Sequence, residues 1–279
     1  MKLAGLLRHE ARQCLERARE LLGRQDASAV RYACLELRQA IEYLAYQQLE
    51  AYLDEVPDDA MRKWTPREVI AQMLEVDPKA DRSSRIAVGR EDAPGQRSTK
   101  MKMLGEDRRF TFKWANRSHN ALGNFLHAPT LHQLEAGGTP DEAKMREKTE
   151  EVAGVIEHTL ATPIFNVNFG NFYEIPCVCG RPFKRRAGSF TAEEGIVCPN
   201  MECRAIWDVE GEERESVGFR QRRQGYVCHQ CNETGYVDSQ RFKPGTVIRC
   251  ECGARVEVAL AIFPLDEANQ DFTSKPAQS

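Results

Sequence analysis

The chain has 279 residues, 41% of them hydrophobic, and a formal net charge of −3 at pH 7. This length favours two domains, and the small negative charge excludes an overall electrostatic attraction to nucleic acid. No apolar run approaches the roughly 20 residues that a membrane-spanning helix needs. Residues 1–7 are too short for a signal peptide. We therefore expect a soluble, cytoplasmic protein with no membrane partner.

The apolar residues at the start of the chain recur at helical spacing. Residues 2–54 predict two long helices, the first ending at Gly23 and the second capped by Asp26. Thr65–Glu68 combines a capping box with a proline at the first helical position, which predicts a short third helix ending near Glu75.

After the third predicted helix the pattern changes to one typical of strands. Residues 85–89 and 99–104 predict two short strands on either side of a Pro-Gly turn. A fourth helix is expected over residues 111–127, and a fifth begins at Thr139–Glu142 and ends near Leu160. The N-terminal domain is thus expected to be a helical bundle with a small β-hairpin insertion.

The C-terminal part of the chain contains eight of the ten cysteines, in four close pairs. The eighteen residues 180–197 separate the first two pairs, and the eighteen residues 232–249 separate the last two. Two close pairs at this separation are typical of a four-thiolate zinc site, and in a reducing compartment such thiolates bind metal and do not form disulfides. We predict two structural Zn²⁺ ions with these ligands: Cys177, Cys179, Cys198, Cys203, Cys228, Cys231, Cys250 and Cys252.

Each predicted metal site belongs to a zinc ribbon, in which we expect the order knuckle, hairpin, knuckle and strand. Gly180 and Gly253 suit the left-handed turn that a thiolate loop needs. Apolar alternation predicts strands over residues 205–209 and 255–263. His229 lies inside a cysteine pair and is an alternative ligand.

These patterns divide the chain into four parts. A helical domain is expected over residues 1–165, the ribbons over 172–215 and 216–264, and a disordered polar tail over 265–279. The fold class is therefore a mostly α N-terminal helical bundle followed by all-β tandem zinc ribbons. Because structural zinc sites leave no position open for water, the ribbons are expected to be scaffolds and not zinc-dependent catalysts.

The fourth predicted helix has a polar side that differs from its apolar side. Lys113, Arg117, Asn120, Asn124 and His127 lie close together on it at helical spacing. Cations and amides can bind phosphate, and histidine titrates near neutral pH without help from its surroundings. A solvated helix face is the alternative, because most surface helices carry one.

The two long helices, followed by a helix with Arg117, Asn120 and His127, resemble the HEPN superfamily of helical domains. Many of these are RNA endonucleases of toxin–antitoxin, CRISPR and phage-defence systems. Their signature is an arginine, often followed by a polar residue, then a short spacer and a histidine, and they usually act as dimers. Here nine residues separate Arg117 from His127, a longer spacer than the signature has, and His119 precedes Asn120.

The resemblance implies roles for the residues that match the signature. His127 would be the acid/base that helps the ribose 2′-hydroxyl to attack the adjacent phosphate. Arg117 would stabilise the charge that develops on phosphorus, with Asn120 beside it. The resemblance also implies a homodimer and RNA as the substrate.

Charge is distributed unevenly along the chain. Residues 62–117 contain fourteen lysines and arginines against eight acidic residues, which favours phosphate contacts. Residues 172–263 contain thirteen of each, and two four-thiolate zinc sites would make them acidic. Lys184, Arg185 and Arg186, with nearby aromatic residues, are nevertheless typical of modules that grip phosphates and stack bases.

Three functional interpretations follow from these observations. The first is a zinc-binding, nucleic-acid-associated protein of a bacterial defence or toxin system that binds RNA in preference to DNA. In this interpretation the helical domain is either an RNA endonuclease or binds RNA without cutting it. The second is a non-enzymatic adaptor that dimerises through its helical domain and docks a partner protein or DNA through its ribbons. The third is an accessory subunit that binds single strands.

Overall fold

The structure, a computed structural model, describes residues 3–94, 96, 98–135, 141–191, 195–211 and 217–260. The predicted tail, residues 265–279, lies outside this part of the chain. The described residues form N-terminal helices followed by small antiparallel sheets, so the predicted fold class is confirmed. None of the described helices combines the length and apolar character required to cross a bilayer.

Six α-helices form the N-terminal part of the described chain. Asp26 caps the second helix by accepting from the Ala29 amide at 2.7 Å, and Thr65 caps the third by accepting from the Glu68 amide at 3.3 Å, as predicted. Two 3-10 turns, Glu50–Tyr52 and Asp58–Arg62, connect these two helices. The helices are α1 (Leu3–Leu22), α2 (Ala27–Leu49), α3 (Pro66–Val76), α4 (Phe112–Asn124), α5 (Leu131–Glu135) and α6 (Glu142–Leu160).

Helix α4 ends three residues earlier than its sequence pattern predicts. The amide of Phe125 donates to the Leu122 and Gly123 carbonyl groups, which tightens the last turn. Pro129, four residues further on, cannot continue a helix. His127 therefore lies in the segment that follows α4 and not on the helix itself.

Helix α2 is the centre of the bundle. It packs against α1, α3, α4 and α6, and its side chains Leu37, Ile41 and Leu44 are fully buried. Cys34 is also buried on this helix, and burial raises the pKa of its thiol. Its sulfur lies 3.1 Å from the Thr149 hydroxyl of α6, so this cysteine is a core residue and not a metal ligand.

A β-hairpin is inserted between α3 and α4, as predicted. Strand β1 (Ser84–Val88) pairs antiparallel with β2 (Lys102–Asp107), with an irregular register after Ile86. Ile86 and Asp107 are the buried residues of this hairpin in the described chain. The strands thus begin and end within three residues of the predicted ones.

The C-terminal part contains nine short strands in the described chain. Each cysteine pair lies in the loop between the two strands of its own hairpin, so the prediction of a hairpin between the two pairs of each site is wrong for the described chain. The strands predicted after the second and fourth pairs are present at Ile206–Glu210 and Arg255–Glu257, and residues 261–263 of the second prediction lie outside the described chain. The strands are β3 (Phe172–Ile175), β4 (Phe183–Arg186), β5 (Ile196–Val197), β6 (Ile206–Glu210), β7 (Gly218–Gln221), β8 (Arg223–Val227), β9 (Thr234–Asp238), β10 (Val247–Arg249) and β11 (Arg255–Glu257). They pair as the hairpins β3–β4, β5–β6, β8–β9 and β10–β11, and β7 pairs with β6 as a third strand.

A buried ion pair holds the segment that joins the two parts of the molecule. Arg109 and Asp107 are each 3% exposed and their side chains are 2.7 Å apart. Arg109 also donates to the carbonyl groups of Ala80 and Val167, while Asp107 accepts from the Val167 amide at 3.0 Å. The connection after α6 is therefore fixed to the bundle by hydrogen bonds.

We expect Arg109→Leu to destabilise the protein by about 3–5 kcal/mol, because it leaves the Asp107 carboxylate buried and unpaired. The neighbouring Arg108 pairs with Glu106 at 3.0 Å, with both side chains about a third exposed. Arg108→Leu is the matched control and should cost at most about 1 kcal/mol. Urea unfolding followed by circular dichroism measures both, and equal losses would contradict the role given to Arg109.

Candidate metal centres

The first cluster of cysteines joins two neighbouring hairpins. Cys177 and Cys179 lie in the β3–β4 loop, and Cys198 and Cys203 lie in the β5–β6 loop. Their four sulfur atoms all lie within 4.8 Å of one another, and the sulfur atoms of Cys177 and Cys203 are 3.6 Å apart. A tetrahedral site with Zn–S bonds of about 2.3 Å requires S–S separations of roughly 3.8 Å. The cluster already has nearly this size.

The second cluster repeats this arrangement with β8–β9 and β10–β11. The sulfur atoms of Cys228 and Cys252 are 3.7 Å apart, and so are those of Cys231 and Cys250. All four again lie within 4.8 Å of one another. All eight cysteines are free thiols. His229, the alternative ligand, is exposed and does not belong to the cluster.

All four cysteine loops are followed by a residue in the left-handed backbone conformation. In each loop the residue after the second cysteine has a positive φ, and this residue is a glycine in only two loops. The amide of Gly180 donates to the Cys177 carbonyl group, and the amide of Gly253 donates to that of Cys250, both at 2.9 Å. The four φ values are 80° for Gly180, 51° for Arg204, 57° for Asn232 and 93° for Gly253. Sequence reasoning missed Arg204 and Asn232, although asparagine is a residue type that tolerates this conformation.

Backbone amides prepare part of the second cluster for a cation. The amides of Cys231 and Gln230 lower the pKa of Cys228 to about 6, which favours its thiolate form. In the first cluster, burial raises the pKa of Cys198. A divalent metal ion supplies the positive charge that a group of four thiolates requires.

The two clusters differ in the support that the protein gives them. The first adjoins a small hydrophobic core that includes Ile175, Phe183 and Trp207. In the described part of the second ribbon, Cys228, Val237 and Ala254 are the buried apolar residues, and they do not form such a cluster. We therefore expect the second ribbon to depend on a bound metal ion more strongly than the first.

The first ribbon also packs against the helical bundle. The amide of Lys184 donates to the Asp54 carbonyl group at 3.0 Å, and Arg185 donates to the Glu55 carbonyl group. Arg186 lies 3.6 Å from the Glu55 carboxylate, which is 2% exposed at the residue level. These three basic residues were candidates for phosphate contacts. The structure instead shows that they hold the ribbon to the bundle, although Arg186 also lines a cavity.

The candidate catalytic residues are on the surface. Arg117 and Asn120 are exposed on α4, and His127 is exposed beyond its end. Asn120 donates to the Asn116 side chain at 3.2 Å. Their catalytic roles stay a prediction, because solvent exposure by itself does not show that a side chain takes part in catalysis.

A different histidine of α4 has a defined environment. His119 is buried, and its Nε2 lies 2.7 Å from the Glu42 carboxylate of α2. Arg38 donates to the His119 carbonyl group at 3.1 Å and packs closely against Gly123. Sequence reasoning missed this group. The signal that could have revealed it is the position of His119 in the helical repeat, next to the apolar side of α4.

The chain matches no protein-family model, and neither curated proteins nor solved structures include a significant match to it. The resemblance of the helical domain to HEPN domains therefore depends on the residue pattern alone. The metal clusters, in contrast, are supported by the positions of their sulfur atoms.

We expect the purified protein to contain two metal ions, and Cys198→Ser and Cys250→Ser to contain one each. Cys250→Ser should unfold the second ribbon and leave the melting of the helices nearly unchanged. Cys198→Ser should also lower the melting temperature of the helices, because the first ribbon packs against them. Metal analysis and thermal circular dichroism test both statements.

Cys34→Ala is the matched control, because it removes a cysteine outside both clusters and should keep two metal ions. Identical thermal profiles for Cys198→Ser and Cys250→Ser would contradict the conclusion that only the first ribbon stabilises the helices.

Proposed function

We propose that this chain is a zinc-stabilised protein of the reducing cytoplasm that binds nucleic acid, RNA in preference to DNA. Zinc is supported by the donor set, since four thiolates form a closed tetrahedral site and zinc is the usual metal there. Such ions supply folding energy to domains with small cores. The preference for RNA, the homodimer and the setting in bacterial defence come from the resemblance to HEPN domains.

The observation that carries the nucleic-acid proposal is the state of the basic residues in segment 62–117. Ten of them are exposed, and none of these ten has an ion pair with another described residue. Unpaired surface cations are available to phosphate groups and release counterions when they bind them. The ten are Arg62, Arg67, Lys79, Arg82, Arg85, Arg90, Lys100, Lys102, Lys113 and Arg117.

We expect a labelled single-stranded RNA to bind with an affinity that falls steeply with salt, with a log–log slope of roughly −2 for three phosphate contacts. Fluorescence anisotropy over a range of salt concentrations measures this slope, and DNA of the same sequence measures the preference for RNA. Failure of both strands to bind at low salt would contradict the proposal and favour the adaptor that docks a partner protein.

A second candidate function is metal-independent RNA cleavage, which rests on the resemblance of Arg117, Asn120 and His127 to the HEPN signature and requires the solvent exposure that all three have. If the protein cleaves RNA, His127→Ala should reduce the rate by about 10²–10⁴, as expected for the loss of a general acid or base. His132→Ala is the matched control, since His132 is exposed on the neighbouring α5. The assay compares both variants with and without brief EDTA treatment.

Cleavage that His127→Ala leaves unchanged, or no cleavage at all, would exclude this second function and leave the binding function untouched. Light scattering on the same samples tests the homodimer that the resemblance implies.

A further inference from the structure

A cavity of about 800 Å³ lies where the helical bundle meets the first ribbon. Its walls are the segment between α3 and β1, the connection around Val167 and Phe169, and the end of β4 with the turn that follows. This volume is within the range of small-molecule sites in proteins, roughly 300–1,000 Å³. The two domains form the cavity together.

The lining of this cavity is strongly basic. Five cationic side chains line it, against the single carboxylate of Asp77. That carboxylate is already engaged, because Arg186 lies 3.3 Å from it and the Tyr52 hydroxyl donates to it at 2.9 Å. The five cations are Lys79, Arg82, Arg85, Arg109 and Arg186.

The carboxylates behind the lining do not cancel this charge. Asp107 pairs with Arg109, and Glu55 lies beside Arg186. If both are counted with the cavity, the cations still exceed the carboxylates by two.

The cations have two different tasks. Arg109 and Arg186 are mostly buried and fixed by hydrogen bonds to the protein. Lys79, Arg82 and Arg85 are exposed, and within the described chain no ion pair engages them. These three are available to an anionic ligand.

The same cavity offers an aromatic ring to a base. Phe169 lines it and is 71% exposed, so its ring is accessible to a ligand. Arg186 donates to the Phe169 carbonyl group at 2.6 Å and so fixes the backbone beneath the ring. Exposed aromatic rings beside a basic groove stack bases in proteins that bind single strands.

A second cavity of the described chain lacks this combination of cations and an aromatic ring. It has a volume of about 510 Å³ and lies between α1 and α6. Two arginines and three glutamates line it, with no aromatic side chain among the lining residues. It has neither the charge nor the ring that the junction cavity offers.

We propose that the cavity at the junction binds one nucleotide of a single-stranded nucleic acid, with the phosphate on Lys79, Arg82 and Arg85 and the base on Phe169. This proposal rests on the proposed nucleic-acid binding and adds a site to it. A free nucleotide offers the same chemistry, and AMP therefore serves as a second probe.

The test compares two variants of the cavity with a control of equal charge. Arg82→Ala/Arg85→Ala removes two cations of the cavity, and Phe169→Ala removes the ring. Arg24→Ala/Arg31→Ala is the control, because these exposed arginines lie outside the basic segment and do not line the cavity. Circular dichroism and metal content verify that each variant is folded.

In RNA binding by fluorescence anisotropy, the cavity double variant should weaken the affinity at least tenfold and reduce the salt slope by about 1–2. Phe169→Ala should weaken it roughly fivefold to 100-fold, as expected for the loss of one stacked base. The control should weaken it clearly less than the cavity double variant, at most about threefold.

The outcomes separate this proposal from the proposed function. If all variants bind RNA with the same affinity, the cavity is not the nucleotide site, although the protein still binds nucleic acid. AMP binding that the cavity variants lose, without any binding of RNA or DNA, would support the cavity and overturn the proposed function. If neither RNA nor AMP binds, both are wrong.

Discussion

The buried ion pairs beside the connection between the bundle and the first ribbon determine how the rest of the molecule is arranged. Arg109 and Asp107 hold the connection at Val167, and Arg186 meets Glu55 and places its carbonyl partner, Phe169. Buried charges of this kind contribute little net stability, but removing one partner is costly. Their main effect is therefore geometric, since they allow one relative position of the connection and the bundle.

A bound metal ion would supply the remaining order, to a different degree in each ribbon. The first ribbon has a small apolar core around Trp207, and hydrogen bonds and ion pairs join it to residues 54–58 of the bundle. The second ribbon has hydrogen bonds and four thiolates but no apolar cluster in its described residues. Because a domain of this size buries too little apolar surface to offset its chain entropy, we expect its folding to be coupled to the binding of a metal ion.

The sequence predicted those features that depend on local spacing. The caps at Asp26 and Thr65 and the assignment of eight cysteines to two groups follow from patterns within short segments. The use of Arg185 and Arg186 in domain packing did not follow, because a run of cations does not reveal its partners in a distant segment. The buried His119–Glu42 pair was missed for the same reason, as its two residues are on different helices.

The arrangement connects the structural metal to the basic cavity. Arg186 reaches the cavity from β4, and β4 follows the loop that contributes Cys177 and Cys179 to the first cluster. An ion bound in that cluster would therefore stabilise β4, the strand that carries Arg186 of the cavity lining. The second cluster has no such connection in the described chain, because its hairpins contribute no residue to the cavity. The zinc ion that we propose for the first ribbon would thus be structural in its chemistry, and the shape of the candidate binding site would depend on it.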